Sequence, residues 1–198
     1  DAAERGLGCL GVSAASYQEQ ARRTKAYHHI VRRCEPVGGF INDQVHTMNF
    51  LYCHEDYRQA RDVGVPMVGA FFGASAQLLW TQEAYPTRAY QTLGNAGAAM
   101  RAKRAAPDDP SVAKGLPEGL GIGDPEYLIG VIKRWESLGV TGINFLLNAM
   151  EVIPHAKVLE SLRLFAREVM PKFRSVQELA APVWTPGIPA GTAPTSWA

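Results

Sequence analysis

This 198-residue chain has no stretch near the roughly 18 consecutive apolar residues that a membrane span needs. No membrane partner is therefore expected. It also lacks charge of one sign: 20 Lys and Arg stand against 19 Asp and Glu, a net +1. That balance gives no basic surface for nucleic acid and no field aimed at an anionic membrane. Cysteine is scarce and odd in number, at Cys9, Cys34 and Cys53, without the paired spacing of a metal site or a disulfide framework. These read as reduced thiols of a cytoplasmic protein, and no metal is expected. Cys9 and Cys53 fall in predicted buried strands, where a thiol behaves as a small apolar group. The opening "DAAERGLG" has no apolar segment of the signal-peptide type and no initiator Met. It reads as the last turn of a helix closing at Gly6, as in a fragment of a longer chain. What is present is ordinary: 46% apolar and 20% charged residues, the composition of one globular domain with a sizeable core.

Along the chain, "GLGCLGV" (6–12) is a short apolar run and a candidate buried parallel strand. "SYQEQARRTKAYHHIVRRC" then has helical character. Tyr17, Ala21, Thr24, Tyr27, Ile30 and Val31 give it a loose apolar stripe. His28 and His29 are adjacent and so point to different helix faces, which suits surface or half-buried histidines better than a metal. "HTMNFLYCH" (46–54) is the second strand, rich in aromatic and apolar residues. The segment "EDYRQARDVGVPMVGAFFGASAQLLWTQE" opens on acidic residues, as a helix N-terminus prefers, and Gly64 and Pro66 are expected to break it into two helices. Phe71, Phe72 and Trp80 would be core or would line a ligand pocket.

Residues 84 to 118 are rich in Ala, Gly and Pro, with no lasting period. So long a loop in a compact domain is usually functional or disordered. Its Arg88, Arg101, Lys103 and Arg104 make it either a solvated surface loop or a lid over an anionic ligand. Helix signals then become clear: Asp124 as N-cap, Pro125 at the first helical position, Glu126 at the positive end, a stripe of Leu128, Ile132, Trp135 and Leu138, and a stop at Gly139. "GINFLLN" (142–148) reads as a strand covered on both faces. The last helix carries Val158, Leu162, Phe165 and Val169 and closes at Pro171. The tail from 175 to 198 is rich in Pro, Ala and Thr and is expected to be disordered.

The order of elements predicts an α/β fold with a parallel sheet. Three or four parallel strands with helices on one side do not finish a fold, so the sheet is doubly wound or part of a barrel. A doubly wound nucleotide sheet needs a Gly-rich phosphate loop after a first strand, and the glycines of "GLGCLG" have the wrong spacing.

Three segments resemble the bacterial luciferase-like flavin-dependent monooxygenase family: "AAERGLGCLGV", "GIGDPEYLIGVIKRWESLGVTGINFLL" and "PHAKVLESLRLFAREVMPKF". The resemblance covers most of residues 1–174. It implies a partial (β/α)8 TIM barrel: the C-terminal strands six to eight with their helices, the N-terminal half absent. On that likeness, "GLGIG" is a short extra segment before the last helix–strand pair. An open set of barrel strands leaves an edge and an apolar face exposed, so such a fragment would be unstable or associated unless another chain supplies the rest.

The resemblance also implies the chemistry. Reactive groups would gather at the strand carboxyl ends, Val12-Ser13, Cys53-His54-Glu55 and Asn148-Ala149-Met150. The family binds reduced flavin there, FMN or, in some branches, the deazaflavin F420; the FMN branch uses dioxygen to oxygenate a small organic substrate. Val12, Ser13 and Asn148 match cofactor-binding positions. Met150, Arg88, Arg101 and His54 are the substrate-side candidates, and no catalytic residue is assigned. Ser13 could instead cap the following helix, Asn148 shape a turn, and His54 start a helix. The sulfonate-oxidising branch places an Arg and a His where this chain has Met48 and Phe50, with His46 and Asn49 close by. That departure argues against a sulfonate. Expected partners are a flavin reductase, the missing barrel half and a second copy as homodimer. The alternatives are F420-dependent hydride transfer, or a non-catalytic flavin-binding relative or inactive fragment.

Overall fold

The structure is a computed structural model that describes residues 1–12, 16–80 and 118–173. The loop from 84 to 117, the tail beyond 174, and Ser13, Arg88 and Arg101 lie outside the described residues. A 3-10 turn at Ala3–Arg5 leads into strand β1 (Cys9–Val12), helix α1 (Tyr17–Val31), strand β2 (Val45–Cys53) and helix α2 (Tyr57–Trp80). After the undescribed loop come strand β3 (Gly121–Gly123), helix α3 (Pro125–Ser137), strand β4 (Gly142–Leu146) and helix α4 (His155–Leu164). A π turn at Phe165–Val169 and a 3-10 turn at Met170–Lys172 follow.

All strand pairs are parallel. β1 pairs with β2 from Cys9↔Val45 to Val12↔Met48, and β4 pairs with the same stretch from His46↔Gly142 to Phe50↔Leu146. Two strands bonded to one stretch must lie on its opposite edges, so β2 is central. Among the described residues, β1 and β4 are each paired along one edge only. β3 adds to the carboxyl end of β2, from Leu51↔Gly121 to Cys53↔Gly123.

Side chains alternate across the sheet, so β2 defines two faces. The odd face carries Val45, Leu51 and Cys53. Val45 packs with Tyr27 and Val31 of α1, and Leu51 and Cys53 pack with Leu128 of α3 and Leu164 of α4. The even face carries Phe50 and Tyr52, which with Ile122 pack against Ala60, Met67 and Val68 of α2. Helices therefore cover both faces, although a barrel-type sheet was expected to carry them on one. The amino half of the even face is open: Leu10 is 65% exposed, Asn144 is exposed, and His46 and Met48 are half-buried.

α3 forms as its sequence dictates. Asp124 Oδ1 accepts the Tyr127 N–H at 2.8 Å, Pro125 needs no donor at the first position, and Gly139 takes the left-handed conformation at φ 84°. Gly139 N–H bonds back to Glu136 and Val140 N–H to Trp135, which closes the last turn. Leu128 and Trp135 are fully buried as expected, joined by Val131, while Ile132 and Leu138 are only half-buried.

Elsewhere the structure corrects the sequence reading. α2 is one continuous helix through Pro66 rather than two. Pro66 and Asp62 both lie on the exposed side, so the Asp62 carbonyl that loses its intrahelical donor faces water, and buried Met67 and Val68 hold the helix on the sheet. Gly64 is there for close packing: a Cβ would sit 2.7 Å from Ile122 Cγ2 and 3.0 Å from Tyr52 Cβ. Gly64→Ala should destabilise by about 1–2 kcal/mol in urea unfolding, despite its better helix propensity. Exposed Gly69, with nothing within 4 Å, should give the opposite sign on the same change.

In α1 the buried residues are Gln20, Thr24, Tyr27 and Val31, while Ile30 is exposed. The Gln20 amide reaches Thr24 Oγ1 at 3.4 Å, so a polar pair takes a position that an apolar stripe does not anticipate. In α4 and the π turn after it the buried set is Val158, Ser161, Leu164 and Val169. The π turn inserts one residue between Leu164 and Val169, which brings those two to one side and leaves Phe165 half-buried.

Candidate functional site at the strand carboxyl ends

The parallel strands end in a stagger: β1 at Val12, level with Met48, β4 at Leu146, level with Phe50, and β2 further on at Cys53. After β2, Asp56 caps α2 by accepting the Gln59 N–H at 2.8 Å. The Asp56 N–H in turn donates to His54 Nδ1 at 3.0 Å. The Asp56 carbonyl lies 3.3 Å from the same Nδ1, so that nitrogen is taken up in the start of α2 and Nε2 is the ring atom left open. The half-buried His54 ring lines a cleft of about 320 Å3 between the exit of β2 and α4, shared with Glu55, Glu160, Arg163 and Arg167. Ser161 Oγ, from α4, accepts the Cys53 N–H at 2.7 Å and pins the helix there. Arg167 is engaged with Glu168 at 2.8 Å, whereas Arg163 makes no ion pair among the described residues. With both signs present, the cleft suits a polar group that donates and accepts, rather than a bare anion.

After β4, the loop Asn148–Ile153 is closed by the Asn148 amide. Nδ2 donates to the Ile153 carbonyl at 2.8 Å and Oδ1 accepts the Ile153 N–H at 2.9 Å. The amide is therefore occupied in shaping its own loop. Between these anchors Met150 and Glu151 both take left-handed conformations, at φ 65° and 53°. Two successive non-glycine residues there store strain that only the surrounding contacts hold. Met150 is left 56% exposed at the strand end.

The N-cap of α1 is Ser16, whose Oγ accepts the Glu19 N–H at 3.3 Å. That takes the capping role considered for Ser13. Val12 ends β1 paired with Met48, at the predicted place. His54, Asn148 and Met150 thus follow the carboxyl ends of the neighbouring strands β2 and β4, whereas Val12 ends β1 at the level of Met48, well short of them.

Inside that end stands an aromatic wall that the sequence only half disclosed. Phe50 meets Phe71 at 5.3 Å and Phe72 at 6.0 Å between ring centroids, and Phe71 meets Phe72 at 5.6 Å. Both α2 rings are half-buried against the core, while the Trp80 side chain lies outside the described set. Asn49, noted in the sequence only as a neighbour of Met48 and Phe50, was not expected to hold the sheet together. It is buried in β2, donates Nδ2 to the Gly119 carbonyl at 2.7 Å, and accepts the Phe50 and Gly121 N–H groups at 2.7 and 3.2 Å. This amide anchors β3. A polar residue within an apolar central strand was the signal available for it.

Cys53 is buried, and burial pushes its thiol up to about 12, reinforced by the nearby Asp124 and Glu168 carboxylates. It is no nucleophile. Cys9 is half-buried rather than buried, and burial again raises its pKa. With a thiol-reactive disulfide reagent at pH 8, Cys53 should stay unmodified in the folded chain and react once urea unfolds it. Among the described residues no three His, Cys, Asp or Glu side chains form a metal site, and no helix is long and apolar enough to cross a membrane. His28 instead meets the Gly139 carbonyl at 3.1 Å.

No protein-family model matches the chain, and no curated protein matches it. Solved structures do match in fold. The oxygenating constituent of 3,6-diketocamphane monooxygenase from Pseudomonas putida, a type II Baeyer–Villiger monooxygenase in complex with FMN, is similar with a TM-score of 0.57 and 17% identity. That match covers 88% of this chain and 45% of the other. Monooxygenase RslO1 from Streptomyces bottropensis is similar at 0.55 and 16%, covering 87% and 44%. The coenzyme F420 dependent tetrahydromethanopterin reductase from Methanopyrus kandleri is similar at 0.51 and 13%, covering 87% and 47%. The chain spans less than half the length of these structures. At such identities the likeness is one of fold, and it falls on the kind of protein that the sequence segments resemble.

Proposed function

We propose that this chain forms part of a luciferase-like, flavin-dependent oxidoreductase of the partial-barrel kind, in which reduced FMN and dioxygen oxygenate a small organic substrate. The observation that carries this reading is the match in fold of nearly nine-tenths of the chain to an FMN-bound monooxygenase, with a wholly parallel sheet as such a barrel needs. The half-buried Met48 and exposed Asn144 of the even face, near the half-buried rings of Phe71 and Phe72, would give the ring portion of a flavin an uncharged surface. At the strand ends, Val12 and Ser13 would meet the cofactor and His54 would present its Nε2 to the substrate. Arg88 and Arg101 would hold an anionic part of cofactor or substrate. Asn148 would act through its loop, setting the position of Met150 at the rim. Bound reduced flavin supplies the electrons that activate dioxygen; the protein's part is to position it, exclude water and shape the substrate space.

A second reading, F420-dependent hydride transfer, has the F420-dependent reductase in its support. Oxygen separates the two. Supplied with FMN, NADH and a flavin reductase, the chain should raise oxygen consumption coupled to an oxygenated product. Oxygen-independent oxidation of reduced F420, with no response to FMN, would favour the second reading. No response to either would leave a non-catalytic relative.

A further inference from the structure

We infer that the cleft between the exit of β2 and α4 binds a small zwitterion of the amino-acid type, one molecule carrying both a carboxylate and an ammonium. The cleft has a volume of about 320 Å3, at the low end of the roughly 300–1,000 Å3 of ligand pockets.

Its lining holds an unused buried hydroxyl. Tyr52 is 3% exposed and lines the cleft, yet its hydroxyl makes no hydrogen bond among the described residues. Tyr27, also buried, shows the ordinary case: its hydroxyl meets the Leu7 and Asn42 carbonyls at 2.8 and 3.0 Å. A buried hydroxyl without a partner in the chain calls for one from outside it. Burial raises the Tyr52 pKa, and the Glu160 carboxylate raises it further, so the hydroxyl lies on the side of the cleft where Glu160 stands.

The charges of the cleft are unmatched as well. Glu55, Glu160 and Arg163 line it, and none of them forms an ion pair among the described residues. Glu160 and Arg163 stand three positions apart on α4, a spacing at which opposite charges commonly meet. Arg167, by contrast, is held by Glu168. Opposite charges that share a cleft without reaching each other fit a molecule that carries both. Its ammonium would donate to the Glu160 carboxylate and to the Tyr52 oxygen beside it. Its carboxylate would take the planar fork of Arg163. A bare anion would meet two carboxylates here, and a bare cation the guanidinium. Through His54 the cleft adjoins the substrate position of the proposed function. That the bound zwitterion is the compound oxygenated rests on that reading; its capture in the cleft does not.

The test is isothermal titration calorimetry of the full chain with the common amino acids one by one, and with acetate and methylammonium. The expected result is saturable binding of an amino acid, with acetate and methylammonium each about ten-fold or more weaker, as the loss of a charge-assisted bond implies. Glu160→Gln and Arg163→Gln should each weaken it about ten-fold on the same ground. Both residues are exposed, so circular dichroism should be unchanged, and Lys157→Gln, exposed on α4 outside the cleft, should leave binding intact. Tyr52→Phe separates a binding role from a structural one. Without ligand its urea midpoint should hold or rise, because the hydroxyl bonds nothing in the protein, while binding should weaken. No saturable binding of any amino acid overturns the inference, as does binding indifferent to both charge substitutions. Acetate held as tightly as the amino acid overturns the zwitterion and leaves an anion site. A zwitterion captured by a chain that binds neither FMN nor F420 sustains the cleft and removes the flavin reading alone.

Discussion

Trp135→Ala should lower the unfolding free energy by about 3–5 kcal/mol, the range for truncating a large buried aromatic side chain. Trp135 is fully buried at the centre of the contact between α3, Val131, Val140 and Tyr17, and its ring meets Tyr17 edge-on at 5.2 Å. Nothing nearby can flow into the space it would leave, since Asp124 and Gly139 fix both ends of α3. Its Nε1–H also donates to the Gly119 carbonyl at 3.1 Å. Trp135→Phe keeps most of the volume and loses that bond. Gly119 still receives Asn49 Nδ2, so the cost should fall to about 1 kcal/mol plus a small cavity term. The urea midpoints of the two variants measure the difference. A near-neutral Trp135→Ala would mean that α3 does not pack on the sheet as described.

Asn49→Leu should cost about 2–6 kcal/mol. It removes one buried acceptor that serves two N–H groups, Phe50 and Gly121, and each orphaned buried donor costs about 1–3 kcal/mol. The effect should be local as well as global: amide exchange should quicken first at Gly121–Gly123, the strand that Asn49 anchors. Asn49→Asp isolates the donor side. Its carboxylate could still accept the two N–H groups but would face the Gly119 carbonyl. Burial then raises the folded-state pKa of the acid above its unfolded value. Stability is thus favoured where the acid is protonated and falls as pH rises through the folded pKa, so Asn49→Asp should regain stability toward acid pH while Asn49→Leu does not.

These residues show why parts of the fold were legible and others were not. α3 was readable because its signals are local: Asp124, Pro125 and Gly139 act within a turn of their own position. α2 was misjudged because Pro66 breaks a helix only if the freed carbonyl has nowhere to go. Whether Asp62 faces water is a tertiary fact that no local pattern states. The same holds for Gly64, a breaker by rule and a close contact to Ile122 in the structure. The α4 stripe failed at the π turn, where the helical period itself changes.

The candidate site divides in the same way. That the candidate residues would follow strand carboxyl ends came from parallel topology alone, while the stagger of those ends, with Val12 level with Met48 and Leu146 with Phe50, is set by a register that the sequence does not state. What each side chain does there depends on its neighbours. Asn148 could have turned outward; Ile153 occupies both ends of its amide. His54 could have been free; the start of α2 takes its Nδ1. That α2 lies on the even face and brings Phe71 and Phe72 to Phe50 required the three-dimensional path of a helix separated from its strand by three residues.

The central claim, that this sheet belongs to a flavin-using oxidoreductase, is tested most directly by anaerobic titration of the full chain with reduced FMN and, in parallel, with reduced F420. Quenching of the chain's own tryptophan fluorescence would report the binding. Saturable one-to-one binding of FMN, weakened by Met48→Lys on the even face with the fold intact by circular dichroism, is the predicted result. Absence of saturable binding for both cofactors, by a chain whose Trp135 and Asn49 variants confirm the described fold, would contradict it.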